Sequence, residues 1–227
     1  MEERKNTMND HPYQCGQKRK YIVMKRIADI CMSLAGLALF SPLLVVTAAA
    51  VKLYDGGDIL YSQIRLTQDG KRFRIYKFRS MRMDSEKDGG VRLAVPDDER
   101  ITPIGKVIRN RHIDELPQLF NILKGEMSMV GPRPERPEIM EMYIKEFPEF
   151  RQRLQVKAGL TGYAQVHGTY YSTPHEKLRM DMKYIEEASI TEDINIILAT
   201  ARRLLFGEKG DREMMSVPAV PVNRKGY

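Results

Sequence analysis

The sequence predicts a mostly helical α/β domain that is membrane-associated and monotopic. An N-terminal reentrant helix-break-helix hairpin comes first, then a short β-hairpin and several surface helices. Three observations predict it. Ile30 to Val51 is 22 residues without a charge. Ser41-Pro42 sits near its centre, with basic residues on both flanks. Beyond Lys52 the apolar pattern shortens to a period of two and then lengthens to that of amphipathic helices.

A chain of 227 residues can bury one true core, and 42% hydrophobic content excludes both a disordered chain and a multi-span transporter. The net charge is +7, of which Met1 to Ala28 carries +4 through Arg4, Lys5, Lys18, Arg19, Lys20, Lys25 and Arg26. Basicity is therefore local, suited to an anionic membrane or to nucleic acid. Cys15 and Cys31 have no metal-like spacing, and a reducing compartment fits them. Four segments follow: a basic extension over 1–20, the membrane hairpin over 21–54, a catalytic domain over 55–206 and a flexible tail over 207–227.

The apolar run, as a helix, would measure ~33 Å against a hydrocarbon core of ~30 Å. A single crossing is the plain reading. Pro42 argues against it, because it removes a backbone donor and crowds the preceding turn. The basic flanks argue against it too, since both are held on the cytoplasmic side. A hairpin that dips into one leaflet satisfies both facts. Its freed carbonyls would be met by Ser41 or by the partner half, and Asp29 would pair with Lys25 or Arg26.

Ile59–Leu66 and Arg72–Phe78 read as strands around a Gln68-Asp69-Gly70 turn. The second strand alternates basic with apolar residues, which predicts a basic stripe on one face. The stretch 82–100 reads as a long polar loop suited to a lid. Thr102 caps a helix that begins at Pro103 and runs to Arg111. Further helices are expected over 115–123, 137–147 and 173–187, and from a Thr191 cap to 205 or 206. "GLTGYAQVHG" reads as irregular, and the last helix either packs on the domain or lies on the membrane.

Asp114 and Glu115 admit two readings. Asp114 can cap the following helix, with Glu115 in its first turn. Alternatively, the helix N-terminus depresses a carboxylate that serves as nucleophile or metal ligand. An adjacent Asp-Glu pair near arginines suits Mg²⁺, which completes its shell with water and substrate phosphates, better than it suits zinc. In Gly131-Pro132-Arg133-Pro134 the prolines restrict the backbone and aim Arg133, a bidentate receptor for phosphate. His112 is read as structural.

"KRIADI…SPLL", "LYSQIRLTQDGKRFRIYKFRSM", "IGKVIRNRHIDELPQLFNILKGEMSMVGPRPERPE" and "VKAGLTGYAQVHG", in that order, resemble the bacterial sugar transferase family. These are monotopic phosphoglycosyl transferases that start glycan and exopolysaccharide assembly. The likeness covers about Tyr21 to Gly207. It implies a reentrant helix broken at Ser41-Pro42, a catalytic dyad of Asp114 and Glu115, and Mg²⁺ held by both. It also implies phosphate contacts at Arg109 and Arg133, a nucleotide-side role for Lys77 and Arg79, and a late carboxylate at Asp181. Ala158 and Tyr163 depart from the Pro and Trp of many relatives.

The expected partners are a UDP-sugar, a polyprenyl phosphate such as undecaprenyl phosphate, and the anionic cytoplasmic leaflet of a bacterial inner membrane. Asp114 would attack the β-phosphorus and release UMP, and the lipid phosphate would then displace the aspartate. Nucleic acid is not among the expected partners, and a homodimer is left open. The competing class is a membrane-anchored basic protein that grips nucleic acid or an acidic polymer. It accounts for the charge and the anchor. It leaves the acidic pair and the Gly-Pro-Arg-Pro turn without a purpose.

Overall fold

The computed structural model describes residues 19–83, 98–169 and 172–206. The extension over 1–20 and the lid expected over 82–100 lie mostly outside them, and the tail over 207–227 lies wholly outside.

Helix α1 spans Arg19–Asp55 as one element with Pro42 inside it, where two helices were expected. The local reason is visible. Pro42 has no N–H to offer the carbonyl of Ala38, and the Ser41 hydroxyl donates to that carbonyl instead, at 2.9 Å. The helix is long and apolar enough to cross a membrane, and only 11% of its most apolar 18-residue window is buried. What is buried lies largely on one face. Tyr21, Asp29 and Ser33 occur at four-residue multiples, and Thr47 and Val51 continue the pattern beyond the proline. All six residues from Ala38 to Leu43 are exposed.

Strands β1 (Leu60–Leu66) and β2 (Arg72–Phe78) pair antiparallel, Leu60 opposite Phe78 and Leu66 opposite Arg72. Asp69 and Gly70 take positive φ in the turn between them. The predicted single basic stripe does not form. Side chains alternate along a strand, so Arg72 and Arg74 stay exposed on one face, whereas Lys77 shares the inward face of buried Phe73 and Ile75.

Helix α2 (Pro103–Asn110) starts on the Thr102 side chain, which accepts from the Gly105 amide at 2.9 Å. A 3₁₀ turn over Ile113–Glu115 precedes helix α3, Gln118–Lys124. Leu119 and Ile122 of α3 pack with Phe73, Ile75 and Met127, and Leu37 of α1 closes this core. A Cβ at Gly36 would meet Leu119 Cδ1 at 3.2 Å, so α1 and α3 lie close at that point. Val51, Phe78 and Ile108 form a second core with Leu44, Ala48 and Ile113 around it.

Strand β3 (Ser128–Val130) pairs in parallel with β4, Gly159–Thr161. Gly131 and Gly159 leave no room for side chains: a Cβ on either would run into the other strand's backbone. Helix α4 (Pro137–Glu146) and a 3₁₀ segment, Pro148–Gln155, follow the Gly-Pro-Arg-Pro turn. The stretch expected to be irregular instead forms β4 and the short helix α5, Tyr163–His167. Helix α6 (Pro174–Glu187) opens with a reciprocal cap between Thr173 and Glu176. Helix α7 (Ile190–Phe206) begins one residue before its expected Thr191 cap. The Ser189 hydroxyl does that work, accepting from the Glu192 amide at 3.2 Å. One side of α7 buries Asp193 and Ile196, while Leu198, Leu205 and Phe206 are exposed.

Candidate active site

Side chains from β2, from α2 and from the Gly-Pro-Arg-Pro turn converge on the dyad. Arg111 ends α2, and His112 then takes φ of 54°, a left-handed conformation uncommon for a residue with a side chain. That reversal turns the next 3₁₀ turn inward, where both Asp114 and Glu115 are buried. The capping expectation fails here. The turn ends before α3 begins, and no capping side chain bonds to the amides at the start of α3.

Glu115 is the organising group. Its Oε1 accepts from Lys77 Nζ at 2.6 Å and from Arg133 NH2 at 2.8 Å. Burial alone would raise the Glu115 carboxyl, but Arg133 and Lys77 outweigh it and hold it well below the usual carboxylate range. Lys77 is pushed down by burial, against the pull of Glu115. Arg133 remains half exposed (50%), so its other donors stay open to a ligand.

Asp114 is different in kind. It is only 7% exposed, and among the described residues its carboxylate makes no hydrogen bond or ion pair. Burial pushes its pKa up, and nearby Lys77 and Arg109 only partly offset this. The expected depression by a helix terminus is thus reversed, because Asp114 sits ahead of α3 in a desolvated turn. Arg109 donates through Nε to Ser80 Oγ at 2.8 Å and faces the Asp114 charge.

Two of the expected site residues go elsewhere. Arg79 turns away to the end of α1, where its guanidinium meets Asp55 and the Val51 carbonyl. Asp181 is 1% exposed, and its Oδ2 accepts from Arg153 Nε at 2.6 Å. It therefore does not reach the dyad as a ligand. Arg153 also donates to the Arg133 carbonyl at 3.0 Å, so the Asp181–Arg153 pair supports the turn that aims Arg133. Removing the carboxylate by Asp181→Ala leaves the buried Arg153 guanidinium with only the longer Glu135 ion pair, at 3.7 Å, among the described carboxylates. It is expected to cost about 3–5 kcal/mol in denaturant unfolding of the detergent-solubilised protein. An unchanged midpoint would contradict this.

Residues that sequence reasoning missed also shape the site. Asn121 is fully buried; its side chain accepts from the Tyr76 amide at 3.1 Å and donates to the Arg74 carbonyl at 2.8 Å. It ties α3 to β2 and so fixes the strand that carries Lys77. A polar residue on the apolar side of "LFNILK" was the available signal. Asp29 is the other case. It does not pair with Lys25 or Arg26; it accepts from Ser128 Oγ at 3.0 Å and from the Met129 amide at 2.8 Å. Lys25 instead pairs with Asp193 at 2.8 Å, and Arg26 donates to the Ile122 and Leu123 carbonyls.

The donor set fits Mg²⁺. Asp114 offers an unbonded buried carboxylate, and Glu115 uses only one of its two oxygens on Lys77 and Arg133. Among the described residues no group of three or more His, Cys, Asp or Glu could hold a metal ion. Two carboxylates suffice only for an ion that draws its other ligands from water and substrate phosphates.

The site thus combines a buried acidic pair, flanking cations able to bind phosphate oxygens, and a neighbouring helix long and apolar enough to cross a membrane. The family model for bacterial sugar transferases matches residues 20–207, and the chain belongs to that family. It is 40% identical over 190 residues to the UDP-N-acetylgalactosamine-undecaprenyl-phosphate N-acetylgalactosaminephosphotransferase of Aeromonas hydrophila, covering 82% of this chain and 45% of that protein. It is 40% identical over 184 residues to the UDP-glucose:undecaprenyl-phosphate glucose-1-phosphate transferase of Klebsiella pneumoniae, covering 79% and 39%. It is 35% identical over 218 residues to the protein of the same name from Caulobacter vibrioides, covering 87% and 81%. The chain therefore spans less than half the length of the first two relatives and most of the third.

Proposed function

We propose that this chain transfers a sugar-1-phosphate from a UDP-sugar to a polyprenyl phosphate such as undecaprenyl phosphate, as the first membrane step of glycan assembly. The observation that carries it is the contrast within the dyad. Glu115 is spent on Lys77 and Arg133, while the carboxylate of Asp114, buried beside it, accepts no hydrogen bond among the described residues. A carboxylate raised by desolvation is a better nucleophile once ionised. In the first step an Asp114 oxygen bonds to the β-phosphorus. The bond from that phosphorus to the bridging oxygen breaks, and UMP leaves with the electron pair. In the second step a lipid phosphate oxygen bonds to the same phosphorus and Asp114 departs, giving polyprenyl-diphosphate-sugar.

Lys77 and Glu115 fix the position of Arg133, whose open donors hold phosphoryl oxygens. Arg109 faces Asp114 from α2 and favours its ionised form. Asp114 and the second oxygen of Glu115 would hold Mg²⁺, which when bound neutralises the diphosphate and the departing UMP. Relatives of comparable identity carry different sugars in their names, N-acetylgalactosamine in one and glucose in two. The sugar is thus left to a donor screen. Sustained UMP release that requires both UDP-sugar and polyprenyl phosphate, with UDP-sugar alone giving at most one UMP per enzyme, is the expected result; no release with any donor would overturn the proposal.

The reentrant topology belongs to the same proposal. Tyr21 and Lys25 bond to Asp193 near one end of α1, and Asp55 bonds to Arg79 at the other. A full crossing of ~30 Å would carry one of these ends away from the domain. With Ala38 to Leu43 projecting into a single leaflet, the donor side stays cytoplasmic and the site sits at the headgroup level. The basic flanks then rest on anionic lipid. Cysteines placed at Lys18 and Lys52 are expected to react with an impermeant label from the same side. Labelling from opposite sides would restore a simple crossing.

A further inference from the structure

The segment that leads into Arg133 is held one residue after another by groups on, or anchored to, the membrane helix. Asp29, 3% exposed in an otherwise apolar stretch of α1, accepts from Ser128 Oγ and from the Met129 amide. The next residue, Val130, offers its carbonyl to Tyr184 Oη at 3.3 Å. The single Tyr184 proton is shared between that carbonyl and the closer Asp193 Oδ1, at 2.7 Å, and Asp193 receives Lys25 and Tyr21 of α1 on its other oxygen. Gly131, Pro132 and Arg133 follow directly. The Gly131 amide donates to the Thr161 carbonyl, and the Gly159 amide to the Pro132 carbonyl. The backbone from Ser128 to Pro132 is thus tied at successive residues ahead of the guanidinium that reaches Glu115.

An ionisable side chain in a lipid-facing helix is costly, and a lipid anchor has no use for it. Among the described residues, the hydrogen bonds that Asp29 accepts all come from β3. We infer that Asp29, with Tyr184 as its second support, is a positioning residue: the seated membrane helix sets β3 and thereby places Arg133 against Glu115. The inference extends the proposed transferase reaction and rests on it for its kinetic readout. A structural readout stands apart from that reaction.

The test uses the full chain in nanodiscs of phosphatidylethanolamine and phosphatidylglycerol, comparing Asp29→Ala with Asp29→Asn, with and without Arg133→Ala. Asp29→Ala is expected to lower kcat for UMP release about 10- to 100-fold. Asp29→Asn keeps an acceptor for the Met129 amide and should recover most of the rate. In the Arg133→Ala background the further loss from Asp29→Ala should shrink to less than about twofold, because the group through which it acts is gone. Cys31→Ser, exposed on the same helix, should change nothing. Hydrogen exchange, read without any substrate, should rise over 128–133 in Asp29→Ala and stay unchanged in β1 and β2. Equal losses in both Arg133 backgrounds, or unchanged exchange over 128–133, would overturn the inference. If Asp29→Ala does not fold, Tyr184→Phe is read through the same cycle with the same expected signs. A wild-type protein that releases no UMP would sink the proposed reaction and leave the exchange result to decide this inference alone.

Discussion

Asp114→Asn is expected to abolish transfer, with UMP release falling by at least about 10³-fold, and to leave the fold intact or firmer. The two halves of that expectation have one cause. The side chain is buried, accepts no hydrogen bond among the described residues, and is pushed by desolvation toward its neutral form. Its charge is therefore a cost to the folded state, and an amide of the same shape removes that cost. A residue that sacrifices stability is one kept for chemistry. Steady-state UMP release and thermal unfolding, measured on the same preparation, check both halves. A variant that retains a tenth of the rate, or that unfolds well below the wild type, would contradict the reading.

Glu115→Ala is expected to behave in the opposite way, losing activity and stability together. Glu115 is the shared acceptor of Lys77 and Arg133, and Lys77 is mostly buried. Without the carboxylate the ammonium is stranded in a desolvated site, at a cost of about 3 kcal/mol or more. Arg133, half exposed, loses its direction rather than its solvation. The pH dependence follows. Because the folded-state pKa of Glu115 lies below its unfolded value, the stability it contributes is complete above pH ~4.3 and is lost as pH falls. Denaturant unfolding of wild type and variant at pH 7 and at successively lower pH should show the difference between them shrinking on acidification. A constant difference would mean that the carboxylate does not hold these cations. The contrast with Asp114→Asn is the sharper test, since the two residues are neighbours in sequence.

Much of this architecture is legible in the sequence because its causes are local. Thr102-Pro103 and Thr173-Pro174 start their helices as capping chemistry requires, and the β1–β2 hairpin forms where alternation and a Gln-Asp-Gly turn place it. The serine before Pro42 meets the carbonyl that the proline frees. What escaped depends on partners far along the chain. Asp181 finds Arg153 across 28 residues, and Asp29 finds β3 across a hundred. Strand β3 is three residues long, too short to show any period. Lys77 is the instructive case. The alternation of basic and apolar residues suggests one stripe, yet strand parity alone puts Lys77 on the face opposite Arg72 and Arg74, toward Glu115. Only the pairing of the dyad with that face needed the structure.

The most direct measurement is intact-protein and peptide mass spectrometry of the wild type after brief exposure to UDP-sugar and Mg²⁺, with no lipid acceptor present. The expected result is a mass increase of one sugar phosphate, localised to Asp114, that disappears when polyprenyl phosphate is added. Lipid-linked product formed at full rate with no such adduct at any time, under quench conditions that preserve acyl phosphates, would contradict the account.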